Sequence, residues 1–151
     1  MIGETMKIAI ACDHRGVKAK QKIEILLGRL GHEIVDFGTH GEPSVDYPDF
    51  GRPAAEAVGR RECARGILVC SSGIGMSMLA NKVKGVRGAL CYNKWAAEMS
   101  RLHNDANVLC LGADATPEPE IEEIVKTWLE TAFEGGRHQR RVDKMMKTEC
   151  E

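Results

Sequence analysis

One stretch of the chain combines a thiol, two hydroxyls and two glycines. Cys70, Ser71, Ser72, Gly73 and Gly75 follow a short apolar run, and a helical pattern begins directly behind them. Glycines at the start of a helix let backbone amides approach an anion, and the helix N-terminus favours negative charge. A reactive thiol beside such amides would form anionic products that these amides stabilise. We therefore expect the chemistry of this chain to be centred on Cys70.

Two common signatures do not fit this loop. A Cys-x5-Arg phosphatase loop needs an arginine six residues after the cysteine, where this chain has Met76. A dinucleotide fingerprint needs a third glycine, where this chain has Met78, and it follows the first strand of a fold rather than the third. A thiolate that removes a carbon-bound proton fits the residue types better, with the amides of residues 71–75 stabilising the resulting enediolate.

Two histidines stand beside residues that could hold a sugar. His14 follows Asp13, and His103 precedes Asn104. Histidine titrates near neutral pH, so either side chain could pass protons to and from a ring oxygen. His32 and His40 have no such neighbours, and we interpret them as ordinary structural or solvated side chains.

The C-terminal segment, residues 137–151, is basic in its first half and predicts a final helix. Arg137 and Arg141 are four residues apart, which places both guanidinium groups on one side of a helix. Two guanidinium groups on one side of a helix could bind a phosphate, while the side chain of Arg140 would point elsewhere.

Strand and helix patterns alternate along the chain. Apolar runs predict five strands, at residues 6–12, 33–37, 67–70, 87–91 and 107–111. Helical spacing covers residues 17–30, 54–60, 74–82 and 94–102, and a further helix has Pro117 at its first position. This alternation predicts the α/β class: one three-layer α/β/α Rossmann-like domain over residues 1–151, with a five-stranded parallel sheet and a C-terminal helical tail. Residues 1–5 carry no pattern and are expected to be a ragged start.

The carboxyl ends of parallel strands meet at one edge of the sheet, where ligands bind. This rule gathers Asp13, His14, Tyr47 and the Cys70 loop at that edge. His103 and the residue after it precede the fifth strand, which places them at the opposite edge unless their helix ends early or another subunit supplies them.

Composition limits the partners and the compartment. With 21 Lys and Arg against 22 Asp and Glu, the net charge is -1, so we expect neither nucleic acid nor a membrane surface as a partner. No long apolar stretch and no leader pattern are present, and six cysteines occur without a Cys-x-x-Cys pair. We expect a cytoplasmic protein with reduced thiols and no zinc site. Four of the other cysteines are interpreted as apolar core residues, namely Cys12, Cys63, Cys91 and Cys110.

Several motifs together resemble the type B ribose-5-phosphate isomerase family, a group that includes galactose-6-phosphate isomerase subunits. The motifs are Asp13-His14, Asp46-Tyr47-Pro48, Cys70-x-x-Gly73-x-Gly75, Ala80-Asn81-Lys82, Ser100-Arg101-x-His103-Asn104-Asp105-x-Asn107-Val108 and Glu134-Gly135-Gly136-Arg137-His138-Gln139-x-Arg141-Val142. The resemblance runs from about residue 6 to the tail, and the last two motifs are highly specific.

The resemblance implies roles for the candidate residues. Cys70 would be the base that moves a proton between C1 and C2, His103 would open the furanose ring, and Ser72 would lie near the sugar oxygens. The substrate-binding set would be Asp13, His14, Tyr47, Ser71, Gly73, Ile74, Gly75 and Asn104, with Arg137 and Arg141 on the phosphate. The resemblance also implies dimers or dimers of dimers with shared active sites, without a metal or other cofactor.

Some residues depart from the family pattern. Ser71 replaces a common glycine, Ser72 replaces a common threonine, and Asp114 stands where a phosphate-binding arginine often occurs. Relative to the family pattern, Asp114 replaces a positive charge by a negative one, and we expect this negative charge to lie near the tail arginines. One branch uses a glutamate base at the position of Met76, which methionine cannot replace.

The sequence therefore predicts an aldose–ketose isomerase of the pentose phosphate pathway, interconverting ribose 5-phosphate and ribulose 5-phosphate through a cis-enediolate. Two alternatives remain open. One is isomerisation of another sugar phosphate, such as allose 6-phosphate, galactose 6-phosphate or a tetrose phosphate. The other is a regulatory protein that binds a sugar phosphate or nucleotide without catalysis.

Overall fold

The computed structural model describes residues 3–150, which form five strands, six α-helices and a short 3-10 turn. The strands are β1 (Lys7–Cys12), β2 (Glu33–Asp36), β3 (Arg65–Cys70), β4 (Gly88–Leu90) and β5 (Val108–Gly112). The helices are α1 (Val17–Arg29), α2 (Tyr47–Gly59), α3 (Ile74–Ala80), α4 (Lys94–Leu102), α5 (Glu118–Glu130) and α6 (Arg137–Lys147), and the turn is Thr148–Cys150.

All strands pair in parallel in the order β2-β1-β3-β5-β4, so β3 is the central strand. The predicted five-stranded parallel sheet is confirmed. Successive side chains of a strand point to opposite faces, and both faces of β1 are apolar. Ile8 and Ile10 contact the core beneath α1, α4 and α5, whereas Ala9 and Ala11 contact the core beneath α2 and α3. The predicted three-layer α/β/α architecture is therefore confirmed.

The largest boundary error concerns α2, which was predicted from residue 54 and begins at Tyr47. Pro48 lies in the first turn, where the missing N–H costs nothing. Pro53 lies inside the helix, and a proline at such a position argues against a helix in the sequence. Pro117 is also misplaced, because it precedes α5 as the N-cap. The remaining strand and helix ends lie within two residues of the prediction, except that the tail helix stops at Lys147.

The termini are described only in part. Residues 1, 2 and 151 lie outside the described part of the chain, so the predicted ragged start can be compared only at residues 3–5, which form no regular element. Within residues 3–150, no helix combines the length and the apolar composition needed to cross a membrane.

One face of α5 is apolar and packs into the core, and its five members are all buried: Ile121, Ile124, Val125, Trp128 and Leu129. The indole of Trp128 is 0% exposed, and the guanidinium carbon of Arg65 lies 5.2 Å from its ring centroid. The same guanidinium donates to the carbonyls of Trp128 and Leu129 over 2.9 and 3.2 Å, which ties the start of β3 to the end of α5.

Candidate active site

Cys70 is the last residue of the central strand, and its thiol faces the loop that follows. The N–H of Gly73 donates to Cys70 Sγ over 3.2 Å, and the N–H of Ile74 donates to Ser72 Oγ over 3.1 Å. Two of the amides expected to hold an enediolate therefore have acceptors within the loop. Because Ser72 Oγ accepts this hydrogen bond, its own proton is available to another acceptor.

The glycines of this loop are required by close contacts. Gly73 has φ of 80°, and a Cβ there would lie 2.6 Å from Leu90 Cδ1. At Gly75 a Cβ would lie 2.6 Å from Tyr47 Cζ. The tyrosine ring therefore packs directly against the loop, which agrees with the expectation that Tyr47 lies at the Cys70 edge.

Asp13 and His14 follow β1, the strand beside β3. The N–H of Asp13 donates to the Val69 carbonyl over 3.2 Å, and Asp13 Oδ1 accepts the N–H of Arg15 over 3.0 Å. His14 Nδ1 accepts the N–H of Val45 over 3.2 Å. Since Nδ1 is an acceptor, the neutral imidazole carries its proton on Nε2 and can donate it to a ligand.

Asp114 lies just beyond the end of β5 and joins two neighbouring segments. Ser71 Oγ donates to Asp114 Oδ2 over 2.8 Å, and Arg15 approaches the same oxygen with Nε at 3.0 Å and Nη2 at 2.9 Å. The Ser71 hydrogen bond, followed by the Arg15 contacts, lowers the pKa of Asp114. Within one chain Asp114 and the tail arginines lie at opposite edges of the sheet, because α6 contacts Arg87 and His103, which precede β4 and β5.

The cysteines assigned to the core are all buried, which confirms that part of the prediction. Burial raises the pKa of Cys12 to about 12 and that of Cys91 to about 11, and it also raises the pKa of Cys63 and Cys110. These thiols stay protonated at neutral pH and are unsuited to act as bases.

His103 lies at the other edge of the sheet, just after α4, where it stacks on His138 of α6. The two ring centroids are 4.2 Å apart and the planes differ by 13°. His138 is buried, and its pKa is lowered first by that burial and then by the charge of His103. Glu134 Oε2 is 4.0 Å from His138 Nε2.

The three side chains of this group could in principle hold a metal ion. Ligand atoms of His103, Glu134 and His138 all lie within 4.8 Å of one another. An imidazole nitrogen donates to a metal in the plane of its ring, however, and two stacked rings cannot direct their lone pairs to one ion. Arg137 and Arg141 are close enough for their charges to lower the pKa of His138. The arrangement therefore suits an anion better than a cation.

The structure thus divides the predicted site residues into two groups. Asp13, His14, Tyr47 and residues 70–75 meet at the carboxyl edge, while His103, Asn104, Arg137 and Arg141 lie together at the amino edge. The residues of β5 separate these edges by about 13 Å, at about 3.3 Å per residue. One chain does not bring the thiol and the candidate ring-opening histidine together.

Two residues of the carboxyl edge were missed by the sequence interpretation. The hydroxyl of Tyr92 donates to the Ser72 carbonyl over 2.7 Å, and Arg15 contacts Asp114 as described. Both residues follow predicted strands. The rule that placed Asp13 at this edge could therefore have included them.

Comparisons with known proteins agree with the fold. A putative sugar phosphate isomerase of Bacillus subtilis is 48% identical over 141 residues, covering 93% of this chain and 95% of the relative. Ribose-5-phosphate isomerase B of Escherichia coli is 41% identical over 143 residues, covering 95% and 96%. The solved structure of Clostridium thermocellum ribose-5-phosphate isomerase B superposes with a TM-score of 0.94 at 51% identity, covering 96% of this chain and 98% of the other. Residues 8–145 match the family model described as Ribose/Galactose Isomerase, and the chain therefore belongs to the ribose/galactose isomerase family.

Proposed function

We propose that this chain is a single sugar-phosphate isomerase domain that interconverts ribose 5-phosphate and ribulose 5-phosphate through a cis-enediolate. The observation that carries the proposal is the position of Cys70 at the end of the central strand, with a backbone N–H donating to its sulfur. The names of the relatives support the substrate. The reaction would take place in the cytoplasm, where the thiol stays reduced.

Cys70 acts as the base in this proposal. The thiolate takes the proton from C2 of the open-chain aldose, and the electron pair moves to form the C1–C2 double bond while the carbonyl oxygen on C1 becomes the enediolate oxygen. The hydroxyl proton on O2 moves to O1, the carbonyl forms at C2, and the thiol returns its proton to C1. No atom is gained or lost, so no redox partner is required.

Side chains of the carboxyl edge hold the sugar. Ser72 donates its hydroxyl proton to an enediolate oxygen. That proton is available because Ser72 Oγ already accepts the N–H of Ile74. His14 donates from Nε2 to a substrate oxygen, held in that orientation by the Val45 N–H. Asp13 fixes this turn through its hydrogen bond with the Arg15 backbone.

A second copy of the chain completes the site in this proposal. His103 and Asn104 of one chain serve the Cys70 of the other, where the histidine opens the furanose ring and the neighbouring tail arginines bind the phosphate. Four large apolar side chains are exposed around the Cys70 edge and would be covered by the partner: Ile74, Met78, Tyr92 and Trp95. The separation between the two groups of site residues supports this arrangement.

The test of the proposed function is the Cys70→Ala variant. Loss of the base should reduce kcat for ribose 5-phosphate by about 100-fold or more. Cys63→Ala is the matched control, because Cys63 is also buried but lies outside the Cys70 edge. Turnover of Cys70→Ala within a few fold of the wild type would refute the mechanism.

Isomerisation of a hexose phosphate is the second candidate function, and the position of Asp114 supports it. A carboxylate beside the Cys70 loop can accept a sugar hydroxyl, and the family description includes galactose. A comparison of kcat/KM for ribose 5-phosphate, allose 6-phosphate and galactose 6-phosphate on one preparation distinguishes the two candidates. A hexose phosphate with the higher kcat/KM would replace the pentose as the substrate.

A further inference from the structure

Arg15, Asp114 and Ser71 form a connected network beside the Cys70 loop. Two hydrogen bonds and one further ion-pair contact converge on Asp114 Oδ2, which lies 2.8 Å from Ser71 Oγ, 3.0 Å from Arg15 Nε and 2.9 Å from Arg15 Nη2. The guanidinium is therefore separated from the loop that carries the thiol by a single carboxylate.

This ion pair contributes little to the stability of the fold. The Arg15 and Asp114 side chains are 56% and 44% exposed, and ion pairs of such exposure are worth about 0–1 kcal/mol. The contacts do fix the direction of a long, flexible side chain. A guanidinium has five N–H donors, and Asp114 engages one edge of the fork through Nε and Nη2. The Nη1 edge remains available to a further acceptor.

The charge of Asp114 makes this cation important for an anionic substrate. A carboxylate this close to the loop would repel the phosphate group of a substrate bound there. Arg15 neutralises the carboxylate and adds donors of the kind that bind phosphate best. Its position in the chain is also favourable, because Arg15 directly follows His14, whose Nε2 carries a donatable proton.

We propose that Arg15 binds the phosphate of the substrate, and that Asp114, tied to Ser71, is the positioning residue that aims its guanidinium. This inference rests on the proposed function, since it requires a phosphorylated sugar at the Cys70 edge. The network then links phosphate recognition to the loop that performs the proton transfer, because Ser71 is next to Cys70.

The test combines Arg15→Gln, Asp114→Asn and the double variant. Loss of the charged hydrogen bonds in Arg15→Gln should raise KM for ribose 5-phosphate by about 10-fold or more, with kcat changed less than about twofold. Asp114→Asn should raise KM less, because the cation stays but loses its orientation. The double variant should resemble Arg15→Gln.

Two outcomes would overturn the inference. The first is an Arg15→Gln variant with unchanged KM. The second is recovery of the wild-type KM in the double variant, which would mean that Arg15 merely neutralises Asp114. Arg29→Gln removes an exposed arginine from the last turn of α1, the helix that follows Arg15, and should leave KM unchanged. Arg15→Lys, which keeps the charge but loses the fork, should give an intermediate KM.

Calorimetric titration with inorganic phosphate separates this inference from the proposed function. Phosphate binding by the wild type that weakens in Arg15→Gln supports the site even if ribose 5-phosphate is not isomerised. Active wild-type enzyme whose phosphate affinity is the same as that of Arg15→Gln would leave the proposed function intact and refute the role of Arg15.

Discussion

Gly75 illustrates how closely the site residues are packed. The ring of Tyr47 occupies the space where any larger residue would place its Cβ, at 2.6 Å from Cζ and 2.9 Å from the hydroxyl oxygen. The tyrosine begins α2, so the loop after β3 and the start of that helix hold each other in place. A side chain at Gly75 would have to displace the ring from the site.

We predict that Gly75→Ala lowers kcat/KM by about 10-fold or more, because small displacements of a positioning group are costly in catalysis. The variant should also lose about 1–3 kcal/mol of unfolding free energy through overpacking. Gly28→Ala is the matched control, since a Cβ there meets nothing within 4 Å in α1. That control should keep its activity and gain up to about 1 kcal/mol. Wild-type kcat/KM in Gly75→Ala would contradict the packing argument.

Residue roles were only partly accessible from the sequence. The apolar run and its glycines are enough to place Cys70 at a strand end, because those features are local. The contact of Ser71 with Asp114 joins residues 43 positions apart, and that of Arg15 with Asp114 joins residues 99 apart. In the sequence, Ser71 and Asp114 were recognised as departures from the family pattern, and Arg15 was not recognised. Their combination became visible only when the sheet order brought β1, β3 and β5 side by side.

At the level of elements, a buried lysine connects α1 to β2. Lys20 is 1% exposed, and its Nζ lies 2.6 Å from Asp36 Oδ2 and 3.7 Å from Glu24 Oε1. Burial, followed by the neighbouring Asp36, raises the pKa of Glu24 to about 7. Asp36 behaves in the opposite way: despite its burial, hydrogen bonds to Glu24 and Lys20 lower its pKa. Glu24 is therefore the carboxyl group of this pair that takes up a proton first as the pH falls.

This arrangement predicts a pH-dependent stability. The folded pKa of Glu24 exceeds its unfolded value, so the folded state holds a proton that the unfolded chain releases. Its contribution is complete below the ordinary value of 4.5 and is lost as the pH rises through about 7. Urea unfolding between about pH 5 and pH 8 should show wild-type stability falling relative to Glu24→Gln, which cannot titrate.

The difference between the wild-type and Glu24→Gln curves of stability against pH reports the titration of Glu24 alone. The lowered pKa values of His32 and His138 act with the opposite sign in the same range, but equally in both proteins. Glu4→Gln, at an exposed position outside the regular elements, should run parallel to the wild type. Parallel curves for wild type and Glu24→Gln would refute the assignment.

Element boundaries show the same limit of local patterns. The predicted starts of α1 and α4 are correct, since their apolar residues recur at helical spacing. The start of α2 was missed because its first turns contain Tyr47, Pro48 and Gly51, which read as loop residues. What holds that segment helical is its packing, with Gly51 so close to Met76 that a Cβ would lie 2.5 Å from the sulfur. Such contacts between α2 and α3 are not encoded in either segment alone.

For the whole molecule, the composite site can be tested by mixing two inactive variants. Cys70→Ala and His103→Ala should each be inactive alone. In a mixed dimer with shared sites, both lesions fall in one site and the other is intact. Random reassortment forms mixed dimers as half of the population, so activity should return to about a quarter of the wild type.

Sites contained within one chain give a different result. Every mixed dimer would then carry one lesion in each site, and no activity would return. Mixing Cys70→Ala with Cys70→Ser is the control, because no pairing of these chains restores a cysteine. The absence of recovery after verified subunit exchange would contradict the composite site and would leave the role of Cys70 to be judged by its own variant.

The two tryptophans of the chain have contrasting surroundings, and this gives the molecule two separate optical reporters. Trp128 is fully enclosed between α5 and the sheet, so its emission should shift to longer wavelength only when the fold opens. Trp95 is 69% exposed at the start of α4 and should shift to shorter wavelength when a second chain covers it. Trp95→Phe and Trp128→Phe would therefore let fluorescence follow unfolding and association independently in one dilution series.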